Sequence, residues 1–218
     1  MSKAIIVVDF AYKGPKRKGR VTGHKGLRST LKYFQYRDNR TDHLTQMQDD
    51  ERWRDLGMGK HYREILENCN HLKSKHVLGW TWVISPAPDL MALVPEEKRR
   101  DFVCALTERV VEDYYTERGF DLPEYSYILH DRPTEDEGLQ QLHTHVVLPG
   151  TAPSMAERLP VYNNKERGHD ALFREVATHH FAEMLDEIVG PEWRLEREEE
   201  PKITSGADDL DVWFPRER

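Results

Sequence analysis

Residues 125–149, YSYILHDRPTEDEGLQQLHTHVVLP, constrain this chain more than any other stretch. They read as two strands joined by a polar, acidic connection, a pairing that only a sheet can satisfy. Val146, Val147 and Leu148 are β-formers, so the sequence predicts a strand over 142–148 with residues 125–129 as its partner. Side chains two apart on a strand share a face, which aims His143 and His145 the same way. His130, at the end of the partner strand, comes in beside them. Three neutral imidazoles leave coordination positions open for substrate or water, the donor set of a catalytic metal site more than of a closed structural one. A lone His-X-His pair is more often plain strand surface. The third histidine turns the reading to metal.

Charge and composition decide what else is compatible. The net charge of −7 runs against a nucleic-acid binder until it is divided along the chain. Residues 1–40 hold eleven Lys and Arg against Asp9 and Asp38, which is +9, and the remainder carries 21 basic against 37 acidic residues, which is −16. The positive charge gathers at Lys13, Lys16, Arg17, Lys18, Arg20, Lys25, Arg28, Lys32, Arg37 and Arg40. Such an arm attracts phosphates while an acidic remainder limits indiscriminate duplex binding. The alternative is a solvated basic loop, and for Arg28 and Arg37 plain surface charge has even standing.

The histidine constellation resembles the closing metal motif of the HUH endonucleases, specifically the relaxases that mobilise plasmids and integrative elements. The counterparts here are His130-Asp131 and His143-Thr144-His145. Thr144 stands where that family carries a hydrophobic residue, and the spacer between the histidines is long. Upstream, LRSTLKYFQYRDNR at 27–40 is similar to the nucleophile motif of the tyrosine-type relaxases. Tyr33 is the match by position and Tyr36 the alternative nucleophile, because this chain has one extra residue before its basic turn.

The resemblance implies a fold and a chemistry. The expected fold is α/β (α+β), helices in a two-layer or sandwich arrangement around a mainly antiparallel sheet, HUH endonuclease-like. The implied activity is metal-dependent, site- and strand-specific nicking and rejoining of DNA at a transfer origin through a 5′-phosphotyrosine. The implied cofactor is a divalent metal ion, Mg²⁺ or Mn²⁺, on His130, His143 and His145. Tyr33 would attack, with Asp131 as helper, and Lys16, Arg17, Lys18, Arg28 and Arg37 would hold DNA. On an ideal strand Asp131 faces away from His130, so its expected role is to orient an imidazole. Asp136 and Glu137 are weaker helpers. The partners implied are single-stranded DNA at the origin, accessory relaxosome proteins and a secretion coupling protein.

At 218 residues, one large domain is the default, here residues 1–190, with an acidic tail over 191–218. Within the tail, DVWFP at 211–215 is expected to dock back onto the domain, since adjacent exposed aromatics are costly. No apolar run approaches the roughly 20 residues that span a bilayer, and residues 4–8 are too short for a signal-peptide core. Cys69 and Cys104, with no CxxC pair, read as reduced thiols in a cytoplasmic protein, Cys104 inside a helix.

The remaining elements follow from periodicity and breakers. Residues 3–10 predict a strand, the basic KGPKRKGRVTG a loop or hairpin, and 24–36 a helix with Leu27, Leu31 and Phe34 as its buried stripe. Tyr33 lies at the edge of that stripe or beyond, and Tyr36 nearly opposite it. Residues 41–59 read as irregular with Trp53 as anchor, 61–73 as helix and 76–85 as a buried strand. A helix runs from Pro95 to about Arg118 with Gly119 as C-cap, and a last one over 170–189. His179-His180 reads as surface, and His61 among others has no evident partner. Two other functions fit the same residues. One is a metal-dependent phosphoesterase without a covalent intermediate, although Val147 interrupts the histidine alternation of the histidine-triad hydrolases. The other is a non-catalytic DNA-binding protein on the same scaffold.

Overall fold

The computed structural model describes residues 4–15, 26–36, 53–133, 139–153, 158–160, 163 and 165–195. Lys16, Arg17, Lys18, Arg37, Asp136, Glu137 and the tail from residue 196 lie outside the described residues.

Five strands form one antiparallel sheet: β1 (Ile6–Lys13), β2 (Arg54–Leu56), β3 (Gly79–Pro86), β4 (Tyr125–Pro133) and β5 (Gln140–Pro149), in the order β1-β3-β5-β4-β2. A small hairpin, β6 (Thr151–Pro153) with β7 (Arg158–Pro160), follows. The helices are α1 (Leu27–Tyr36), α2 (Tyr62–His71), α3 (Pro88–Met91), α4 (Glu96–Thr116) and α5 (His169–Val189). The expected α/β architecture around an antiparallel sheet is therefore present.

Alternation sorts the strand residues onto two cores. Trp80, Trp82 and Ile84 of β3 join Tyr125, Tyr127 and Leu129 of β4 and Val146 and Leu148 of β5 in the larger core, closed by α4 and α5. The other face contributes Ile128 and Val147 to a smaller core with Leu27, Leu31 and Phe34 of α1 and Tyr62, Ile65 and Cys69 of α2. β3 is buried on both faces, which is why its sequence alternates poorly. Burial raises both thiols, that of Cys69 to about 12, so neither is reactive at neutral pH.

Several boundaries differ from the sequence reading. The first strand is shifted three residues downstream, and α1 starts at Leu27. The 41–59 stretch is not wholly irregular, because Arg54–Leu56 pairs with Tyr125–Tyr127. Trp53 beside it is buried, as its anchoring role requires. α3 and the β6–β7 hairpin were not foreseen, being a single proline-started turn and two three-residue strands with no readable period.

Two contacts lock the histidine strand in place. Beyond its end, a Cβ at Gly150 would lie 2.1 Å from the carbonyl of Val77, so only glycine fits. On its underside, Thr107 of α4 donates to the Val103 carbonyl and sits 2.8 Å from the buried Thr144 hydroxyl. Thr107 has spent its only proton, so Thr144 is the donor in that pair. The unusual threonine between the histidines thus ties β5 to α4.

Candidate metal centre and its flanking tyrosines

His130 and His143 are register partners across β4 and β5, and His145 follows two residues on. Alternation brings all three onto the face covered by α1 and α2, where their ligating nitrogens lie within 4.8 Å of one another. Ring centroids are 5.3 Å apart for His130–His143, 4.9 Å for His130–His145 and 5.1 Å for His143–His145, with the rings steeply inclined to each other. His130 and His143 are buried and His145 is partly exposed, and His130 Nδ1, His143 Nδ1 and His145 Nε2 are all shielded from solvent.

The donor set fits a cation. Points no more than 4.8 Å apart centre on a position at most about 2.8 Å from each, so small side-chain adjustments reach the roughly 2.0–2.1 Å of metal–imidazole bonds. The nitrogen to be offered by His130 is also set. Its Nε2 lies 2.7 Å from the Phe34 carbonyl, which only accepts, so Nε2 carries the proton and Nδ1 the lone pair of the neutral ring. Phe34 adds its side chain, stacked on the His145 ring at 3.9 Å and 11° and edge-on to His130 at 6.5 Å. Sequence periodicity assigned Phe34 to the core stripe. It is indeed buried, yet its carbonyl and ring both serve the histidines, a role no side-chain pattern can reveal.

The other site residues expected from sequence are distributed unequally. Tyr33 precedes Phe34 on α1, half-buried against the smaller core with its ring 6.2 Å from the Phe34 ring. It is less detached from the core than periodicity implied. Tyr36 is on the outer side of α1, 36% exposed. Arg28 is exposed on the same helix. Asp131 is not brought to the imidazoles. β4 continues past it to Pro133, so the alternation holds, and its carboxylate accepts from Arg100 at 3.0 Å and from Gln140 at 2.7 Å. The expected orienting partner is instead the Phe34 carbonyl.

Two histidines dismissed from sequence have partners. His180 is 12% exposed and its Nε2 meets the Asp113 carboxylate. His61 precedes α2; its Nδ1 accepts from the Arg63 amide and its Nε2 lies 3.3 Å from the Tyr36 hydroxyl. Burial and the neighbouring Arg63 hold His61 below its usual pKa. The Tyr62 hydroxyl, receiving Arg63 Nε–H at 3.1 Å, is held below the usual phenol value by that bond and by the charges of Arg63, Lys32 and Arg28. No single-strand periodicity joins residues 36 and 61, which meet only because α1 and α2 pack together.

No protein-family model matches the sequence, and no curated protein matches it significantly. Among solved structures, one likeness is to an enzyme, the conjugative relaxase TrwC in complex with oriT DNA and metal-bound. The two chains are 13% identical at a TM-score of 0.48, over 82% of this chain and 70% of that one. A likeness of that extent assigns nothing by itself, and the functional reading rests on this chain's own residues.

Proposed function

We propose that this chain is a metal-dependent DNA relaxase that nicks and rejoins one strand at a transfer origin. The observation that carries the reading is the attachment of α1 to the histidine cluster through Phe34, which builds the helix bearing Tyr33 into the site. A bound divalent ion, Mg²⁺ or Mn²⁺, would supply charge neutralisation at the non-bridging phosphate oxygens and fix the phosphorus for in-line displacement. His130, His143 and His145 are the groups proposed to hold it. The hydroxyl oxygen of Tyr33 forms a bond to phosphorus as the bond to the 3′ oxygen breaks, and the proton lost from the phenol is balanced by one gained at the 3′ hydroxyl. The phosphodiester energy is kept as a 5′-phosphotyrosine, so the reverse attack by a 3′ hydroxyl reseals the strand.

The same reading carries accessory relaxosome proteins and a secretion coupling protein as partners, and a cytoplasmic place of action. It also carries a catalytic domain over 1–190 with an acidic tail over 191–218, and phosphate contacts at Lys16, Arg17, Lys18, Arg28 and Arg37. Among the described residues no helix is long and apolar enough to cross a membrane.

The test is incubation of the pure protein with labelled single-stranded DNA and Mn²⁺. A covalent protein–DNA adduct supports the proposal. Free cleavage products without adduct point to a hydrolytic phosphoesterase, and retention without cleavage to a binding protein.

A further inference from the structure

α1 carries Arg28, Lys32 and Tyr36 at successive i, i+4 positions, a stripe that starts beside the buried Leu27, Leu31 and Phe34 side at Arg28 and ends nearly opposite it at Tyr36. α2 packs beside that stripe and adds His61, Tyr62 and Arg63 at its start. Lys32 Nζ lies 5.5 Å and Arg63 Cζ 5.7 Å from the centre of the Tyr62 ring, and the Tyr36 ring lies 5.9 Å from it. Arg28, Lys32 and Arg63 are exposed, and among the described residues none forms an ion pair with a carboxylate. Like charges at i and i+4 destabilise a helix, so the stripe runs against helix stability and calls for an anion. The nearby acids are committed elsewhere: Glu64 accepts from the Lys60 amide and Asp55 from the amides of Gly57 and Gly59.

The Tyr36 hydroxyl completes the feature. Because His61 Nδ1 accepts from the Arg63 amide, the proton of the neutral ring sits on Nε2, and Nε2–H donates to Tyr36 Oη. His61 in that tautomer takes no proton from Tyr36. The phenolic proton of Tyr36 is instead left to donate outward, next to the Tyr62 ring that Lys32 and Arg63 approach. That is the arrangement of a phosphate-binding hydroxyl, not of an activated nucleophile.

We propose that Arg28, Lys32, Tyr36 and Arg63 form a phosphate-binding track for single-stranded DNA along the α1–α2 surface, with Tyr36 donating a hydrogen bond to a backbone phosphate. Residues four apart on a helix are roughly 6 Å apart along its axis, a spacing on the order of that between successive phosphates. The track deepens the relaxase reading, because it holds the strand along the helix that carries Tyr33.

The test is fluorescence anisotropy of a labelled single-stranded oligonucleotide, titrated with full-length protein in EDTA at several salt concentrations. The triple variant R28Q/K32Q/R63Q is expected to bind at least about tenfold more weakly near 0.15 M salt, with the slope of log affinity against log salt reduced by about 0.7 for each phosphate left without its cation. Tyr36→Phe is expected to weaken binding several-fold with the slope unchanged, because a neutral hydroxyl releases no counterion. Wild-type affinity and slope in the triple variant would overturn the track. An equal loss against a duplex of the same sequence would overturn its assignment to single strands. The two readings fail separately. A wild type that shows these dependences in EDTA but never cleaves with Mn²⁺ retains the track and loses the nuclease. A wild type that cleaves while the triple variant binds normally does the reverse.

Discussion

The backbone carbonyl of Phe34 receives the Nε2–H of His130 at 2.7 Å, across 96 residues of sequence. One hydrogen bond thereby selects the nitrogen that His130 offers and fixes the position of α1 over the sheet. Any displacement of the helix bearing Tyr33 is felt at His130, and any rotation of His130 at the helix.

Phe34→Ala should reveal that link. Removing a buried phenyl costs about 3–5 kcal/mol in general, and here it also takes away the ring stacked on His145. We expect Mn²⁺ affinity, measured calorimetrically, to fall at least about tenfold, as when groups supporting metal ligands are removed. Phe34→Leu, which keeps most of the volume but not the flat stacking surface, should retain the fold and still lose affinity. Normal Mn²⁺ binding by the leucine variant would show that the stacked ring does not orient the ligands.

The hydroxyl pair beneath the histidines gives an asymmetric expectation. Thr144→Val removes a donor and leaves Thr107 still bonded to the Val103 carbonyl, at a cost of about 1 kcal/mol. Thr107→Val removes the acceptor and leaves the Thr144 hydroxyl buried without its partner, at about 1–3 kcal/mol. Urea denaturation should rank Thr107→Val as the more damaging change. Equal or reversed costs would contradict the assigned direction of the bond.

How much of this was legible in the sequence depended on range. The His143-Thr144-His145 spacing announced a shared strand face, and the flanking β-formers announced the strand, because period two is a local property. That His130 would come in beside His143 and His145 followed from reading residues 125–129 as the partner strand, while its register opposite His143 came only with the structure. The Phe34 carbonyl could not be read, since backbone groups leave no mark in side-chain patterns. Nor could the meeting of Tyr36 with His61, which needs α1 and α2 packed against one another. Asp131 was read as facing away from His130 along the strand, and what the sequence did not reveal is that Arg100 and Gln140 claim its carboxylate. Thr144 looked like a departure from pattern and proves to be a tie to Thr107.

Two histidines should contribute to a fall in stability on mild acidification. Burial with Arg63 depresses the pKa of His61, and burial with Arg118 and Arg167 depresses that of His169, both from 6.5. Each ring binds a proton more readily in the unfolded chain. Their contribution is therefore fully present above pH 6.5 and is lost as pH drops through the lowered folded values. In metal-free protein the double variant H61Q/H169Q should show a flatter decline of urea stability between about pH 7 and 5 than wild type. An unchanged decline would remove these two rings as its source.

The most direct measurement of the central claim is a denaturing gel of the protein incubated with Mn²⁺ and a single-stranded transfer-origin oligonucleotide labelled at its 3′ end, followed by peptide mapping of the labelled band. Attack by Tyr33 leaves the protein on the 5′ phosphate of the downstream fragment, so the label must migrate with the protein and map to the peptide containing Tyr33. Tyr33→Phe should abolish the band, while Tyr36→Phe should form it at lower yield because only its hydrogen bond to the strand is removed. Alanine at His130, His143 or His145 should abolish it with the fold retained. A label that maps to Tyr36, or a Tyr33→Phe protein that still forms the adduct, would contradict the nucleophile. A doubly substituted Tyr33→Phe, Tyr36→Phe protein that still releases cut DNA would contradict the tyrosine mechanism altogether and leave water as the attacking group.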